Sequence, residues 1–62
     1  MREFDLEFIR QMIPRHEGAV AMARETLQKS QRAEIKSAAA SVVREQGAEI
    51  KQMKGWQAAW QK

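Results

Sequence analysis

The spacing of apolar residues between Ile9 and Leu27 leaves this chain few ways to fold. Ile9, Ile13, His16, Val20, Ala23 and Leu27 recur at intervals of 4-3-4-3-4, the seam of a helix in a bundle or coiled coil. At about 100° per residue, Phe4, Phe8, Met12, Ala19 and Met22 fall along one flank of that seam. Seam and flank together span roughly half the circumference, wider than the ~100° stripe that one neighbour covers. A helix patterned in this way packs against more than one partner.

Pro14 interrupts the pattern chemically but not in phase. Its ring removes a backbone N–H and crowds the carbonyl of Arg10, yet the seam keeps its register from Ile9 through Val20. The spacing predicts one long, proline-kinked helix over about residues 4–29. A new helix with Pro14 at its first position is the alternative. Past Leu27 the seam would continue at Ser30 and Glu34, both polar. The chain therefore turns at about residues 30–32, with Ser30 as N-cap of a second helix over about 33–60. The turn contains neither Gly nor Pro, so one unbroken helix in a coiled coil is the competing prediction.

The second helix carries Ile35, Ala39, Val42, Val43, Gln46, Ile50, Met53 and Trp60 on one face. Its "SAAAS" stretch, Ser37 to Ser41, lets a neighbour approach closely. Folded back antiparallel, the hairpin brings Phe4 and Phe8 to Met53, Trp56 and Trp60 at its open end. It sets His16 level with Gln46 and within a turn of Glu49. Two helices cannot enclose two wide apolar arcs, whereas two hairpins can, as a four-helix bundle. Length points the same way. A 62-residue chain without cysteine has no disulfides to supplement a small core, which leaves a metal, self-association or both. The fold class is all-α: a single domain over residues 1–62, an antiparallel two-helix hairpin that homodimerises.

Charge excludes several functions. Eleven basic and eight acidic residues give a net charge of +3, but they interleave along the chain, as in Glu7 before Arg10 and Glu25 before Lys29. Such spacing supports a solvated helix face and argues against nucleic-acid binding, which favours clustered basic residues. No apolar run approaches the ~20 residues of a membrane span. Met1 leads straight into charged, patterned sequence, so no signal peptide is expected in this chain; it is a cytosolic protein or a mature fragment of an exported one.

Four polar side chains interrupt the apolar faces: Asp5, His16, Gln46 and Glu49. Met12 lies one turn before His16, and Met53 one turn beyond Glu49. An imidazole with thioethers is a soft donor set suited to Cu(I), and Glu49 shifts it toward borderline ions. One chain is short of strong ligands; a symmetric dimer doubles them. The alternative is a hydrogen-bonded network of His16, Glu49, Gln46 and Asp5 that fixes bundle register, with the methionines filling gaps. A basic helical module for an acidic partner is a third possibility. Catalysis has little to draw on. "HEGAV" opens like a zinc-protease motif, but Val20 stands where its second histidine belongs. Ile13 stands where a di-iron Glu-x-x-His motif needs its glutamate. Gly18, Gly47 and Gly55 are isolated, so there is no phosphate loop, and one histidine without cysteine or tyrosine makes no nucleophile–base set. The chain is read as a non-enzyme.

"FDLEFIRQMIPRHEGAVAMARETL" followed by "VVREQGAEIKQMKGW" resembles the domain of unknown function 305 family. The likeness runs from Asp5 to Trp60 through Asp5, Phe8, Met12, Ile13, Pro14, His16, Ala19, Met22 and Ala23, then Gln46, Glu49, Ile50 and Met53. It implies a ferritin-like hairpin of long helices, forming four-helix bundles by duplication or pairing. It also implies a commonly exported, periplasmic or secreted protein, since some periplasmic members bind copper or silver and contribute to metal tolerance. One position departs from the family's paired histidines: this chain reads Arg15-His16, and arginine stays protonated and cannot ligate. Taken together, Met12, His16, Met53 and Glu49 are the candidate copper ligands. Gln46, Asp5, Arg15 and Met22 are the groups around them.

Overall fold

Ala, Glu, Gln, Lys and Arg dominate the chain and favour helix wherever packing does not decide. The computed structural model describes residues 3–61, which form α1 (Glu3–Lys29) and α2 (Ala33–Trp60), with no strand among them. The two lie side by side as an antiparallel hairpin measuring 45 × 14 × 13 Å over its Cα atoms.

α1 runs through Pro14 without a break, so Pro14 does not begin a new helix. Pro14 and Arg10 both lie on the exposed side, where water replaces the hydrogen bond that the carbonyl of Arg10 forgoes. Glu3 and Asp5 occupy the first turn and Lys29 the last, each complementing the helix dipole. Along the solvated face, Lys29 donates to Glu25 at 2.7 Å, and Arg10 lies 3.6 Å from Glu7.

The reversal is built differently from the sequence expectation. Ser30 does not cap α2: the residue before the helix is Arg32, extended at φ −95° and ψ 127°, and no side chain caps it. Ser30 instead closes the end of α1, its backbone N–H donating to Thr26 O at 2.8 Å. Its hydroxyl then accepts from the Arg32 N–H at 3.2 Å, the local side-chain bond by which serine favours turns. No described residue has a positive φ, which is why the hairpin turns without glycine. The single unbroken helix is thereby ruled out.

Ile9, Ile13 and Met53 form the buried cluster, with Met12 and Trp60 packed against it; Ala23 and Ala39 are buried nearer the turn. Of the aromatic group expected at the open end, Trp56 and Trp60 stack with centroids 5.6 Å apart and planes at 5°. Phe8 borders them in a shared cleft. Phe4 does not join: it is 80% exposed and lines a cleft with Leu6, Glu7 and Arg10 of its own helix. It sits one turn nearer the N-terminal end of α1 than Phe8. Phe8, Met22, Ile35 and Trp56 also remain exposed, so the wide apolar arc is covered on one side only.

Candidate metal centre

Met12 and His16 are one turn apart on α1, and Glu49 and Met53 one turn apart on α2, so each pair shares a helix face. The four side chains line one cleft of about 290 Å³ together with Phe8, Gln52 and Trp56. Met53 is buried and Met12 partly so.

The imidazole is fixed at both nitrogens. Nδ1 lies 3.0 Å from the carbonyl oxygen of Met12; a carbonyl only accepts, so Nδ1 carries a hydrogen and donates it. Nε2 then faces Glu49, 2.6 Å from Oε1. The two atoms are within hydrogen-bond distance across the helix pair. The His16 side chain is 15% exposed and that of Glu49 55%, so the ring is shielded while the carboxylate reaches water. An imidazole whose Nδ1–H is tied to a backbone carbonyl presents Nε2 as its one ligating atom. A metal ion held at Nε2 would compete with Glu49 for that nitrogen. The donors are thus one imidazole, one carboxylate and two thioethers. Among the described residues no three His, Asp or Glu side chains converge, so a cage of hard ligands is not formed within one hairpin. Lys54 Nζ lies 3.0 Å from Glu17 Oε2 across the helices, an exposed ion pair worth about 1 kcal/mol at most.

His16 meets Glu49 rather than Gln46, three residues further along α2 than a comparison of Cα levels predicts. Side chains on a helix lean toward its N-terminus. In an antiparallel pair the two lean in opposite directions, so the residues that touch each lie C-terminal of the level position. Gln46 accordingly falls in a separate cleft near Ala19 and Met22. Asp5 is exposed and borders the Trp56–Trp60 cleft, eleven residues and roughly 16 Å along the helix from His16. Arg15 is exposed and Met22 is 68% exposed. The four-residue network of His16, Glu49, Gln46 and Asp5 therefore reduces to one bond, and no polar side chain among the described residues is fully buried. Gln52 and Trp56 join the cleft without having been singled out as site residues. Their signal is the spacing from Glu49: positions three, four and seven residues on give Gln52, Met53 and Trp56 on one face.

A family model described as Domain of unknown function (DUF305) matches the chain over residues 1–62. The chain belongs to the DUF305 family. Among solved structures, this DUF305 chain is similar to CopM in the Cu(II)-bound form, at 47% sequence identity and a TM-score of 0.92. The match covers 97% of this chain and 40% of that chain, so the DUF305 hairpin spans two fifths of the CopM length. No curated protein matches it significantly.

Proposed function

We propose that this DUF305 hairpin binds and sequesters a soft metal ion, copper foremost, through Met12, His16, Met53 and Glu49, and that its role is metal tolerance without catalysis. The observation that carries this is the single cleft lined by all four side chains, with the His16 ring oriented by Met12 O. The likeness to a Cu(II)-bound CopM at 47% identity supports copper over other soft ions. A periplasmic or secreted setting is part of the proposal and rests on the family resemblance.

The hairpin is proposed to pair with a second copy as a four-helix bundle, α1 bending at Pro14 to follow its neighbours. Area supports the pairing. The chain exposes 4942 Å², against roughly 4,100 Å² for a globular chain of this mass. The excess of about 800 Å² equals what one partner buries in a standard interface.

Titration with Cu(I) under reducing conditions tests the metal proposal, with far-UV circular dichroism to verify the helices. Wild type is expected to bind stoichiometrically and His16→Ala to lose that binding. No binding, or binding unchanged by the substitution, overturns it. The closed His16–Glu49 contact at 2.6 Å favours one second function, a structural module in which that bond only sets helix register. Under it, metal does not bind and His16→Ala is felt solely as lost stability.

A further inference from the structure

We infer that a second copy of this chain seats on the face that carries the metal cleft, so that pairing and metal binding strengthen one another. The inference deepens the metal proposal above and rests on it. The hairpin has two unlike faces. Phe8 and Trp56 line the metal cleft, and Met22 and Ile35 line a second cleft of about 320 Å³ nearer the turn. All four are exposed. At about 100° per residue, Phe8, Met12, Ala19 and Met22 fall within roughly 80° of one another around α1. Ile35, Ala38, Val42, Glu49 and Trp56 fall within roughly 60° around α2. The two clefts therefore open on the same side. The other side is charged. Glu17, about half a circumference in phase from Phe8, pairs there with Lys54 across the helices at 3.0 Å, and exposed Arg24 follows Glu17 by two turns.

The occupant is a second copy because the excess exposed area, about 800 Å², matches one partner's share of a standard interface. His16 is the middle residue of α1 (Glu3–Lys29), so any two-fold axis that overlaps two rods fully on this face brings the two metal clefts together. Within one hairpin no three His, Asp or Glu side chains converge among the described residues. Two copies bring two imidazoles and two carboxylates to the middle of one interface, and each copy completes the other's donor set. Pairing also takes the Glu49 carboxylate, 55% exposed in the single hairpin, out of water, and a buried carboxylate needs a cation. A cation in the cleft therefore stabilises the pair. By linkage the pair strengthens cation binding by the same factor.

Sedimentation equilibrium of the full chain, with and without saturating Cu(I) under reducing conditions, tests this. Metal is expected to lower the dimer Kd roughly tenfold. Met22→Asp and Ile35→Asp lie outside the metal cleft, yet both are expected to weaken pairing and, at equal protein concentration, to lower Cu(I) affinity by roughly tenfold. Arg24→Asp, on the charged face, should leave both within about twofold of wild type. Dilution tests the linkage without any substitution, since the Cu(I) affinity of wild type should fall as the protein passes below its dimer Kd. Wild type that binds Cu(I) with a dimer Kd unmoved by metal overturns the inference and leaves the metal proposal standing. So does a folded Met22→Asp monomer, its helices verified by circular dichroism, that binds Cu(I) as tightly as wild type. If wild type binds no Cu(I), or His16→Ala binds it unchanged, the metal proposal fails and the linkage fails with it.

Discussion

Nε2 of His16 stands 2.6 Å from the Glu49 carboxylate, and its lone pair is the one a metal needs. The contact that holds the ring in place therefore competes with the proposed ion. A second imidazole next to this position would tilt the balance. Arg15 lies on the exposed flank beside Met12 and is engaged in no ion pair or hydrogen bond among the described residues. Arg15→His is expected to raise Cu(I) affinity by roughly tenfold, the lower end of what supporting groups contribute around metal ligands. Competition against a chromophoric Cu(I) chelator measures it, and an unchanged affinity means the departure from the paired histidines did not weaken the site. At this scale, His16, Glu49 and the two methionines were legible because helical periodicity alone places residues four apart on one face. Gln46, level with His16 by periodicity, lines a different cleft, because periodicity gives Cα levels whereas contact depends on the direction in which side chains lean.

Each helix carries an apparent fault. α1 contains Pro14, and α2 begins at an uncapped Arg32. Proline costs about 3 kcal/mol relative to alanine inside a helix, but an exposed position recovers part of this through hydration of the freed carbonyl. Pro14→Ala is expected to stabilise the hairpin by about 1–2 kcal/mol, raising the thermal midpoint by roughly 5–15 °C, as followed by circular dichroism. A fall in the midpoint shows instead that helix packing uses the shape Pro14 imposes. Gly18 lies mid-helix with nothing within 4 Å of where a Cβ would stand. Gly18→Ala should add roughly 0.5–1 kcal/mol and leave metal affinity unchanged, a control for the stability effect. Helix identity was legible from the 4-3 spacing. The turn was legible only in position, because serine can either cap a following helix or close a preceding one, and the sequence does not distinguish these.

A rod of two helices whose described residues include five buried hydrophobic side chains, Ile9, Ile13, Ala23, Ala39 and Met53, is marginal for a chain of this size. Met22 and Ile35 border one apolar cleft, and each stays largely outside the hairpin's own core. Met22, 68% exposed, is the milder site and Ile35, 45% exposed, the harsher one, and an Asp at either places a charge on the face proposed to meet a second copy. Sedimentation equilibrium at about 100 µM, well above the Kd range of ordinary interfaces, is expected to give twice the 7.2 kDa chain mass for wild type. Met22→Asp and Ile35→Asp should shift it toward one chain mass and weaken helicity on dilution. A wild-type monomer with full helicity removes the four-helix bundle from the proposal.

Periodicity and composition by themselves determined that this chain is two apolar-striped helices reversing near Ser30, because the 3.6-residue repeat is a property of the backbone and survives without knowledge of the partner. They also placed an imidazole and two thioethers on inward faces. Only the tertiary structure decided which polar groups meet: that Glu49 and not Gln46 reaches the ring, that Asp5 stands apart, and that Trp56 walls the cleft. Those outcomes depend on the stagger of two side-chain arrays leaning in opposite directions, a relation that exists only once the helices are docked.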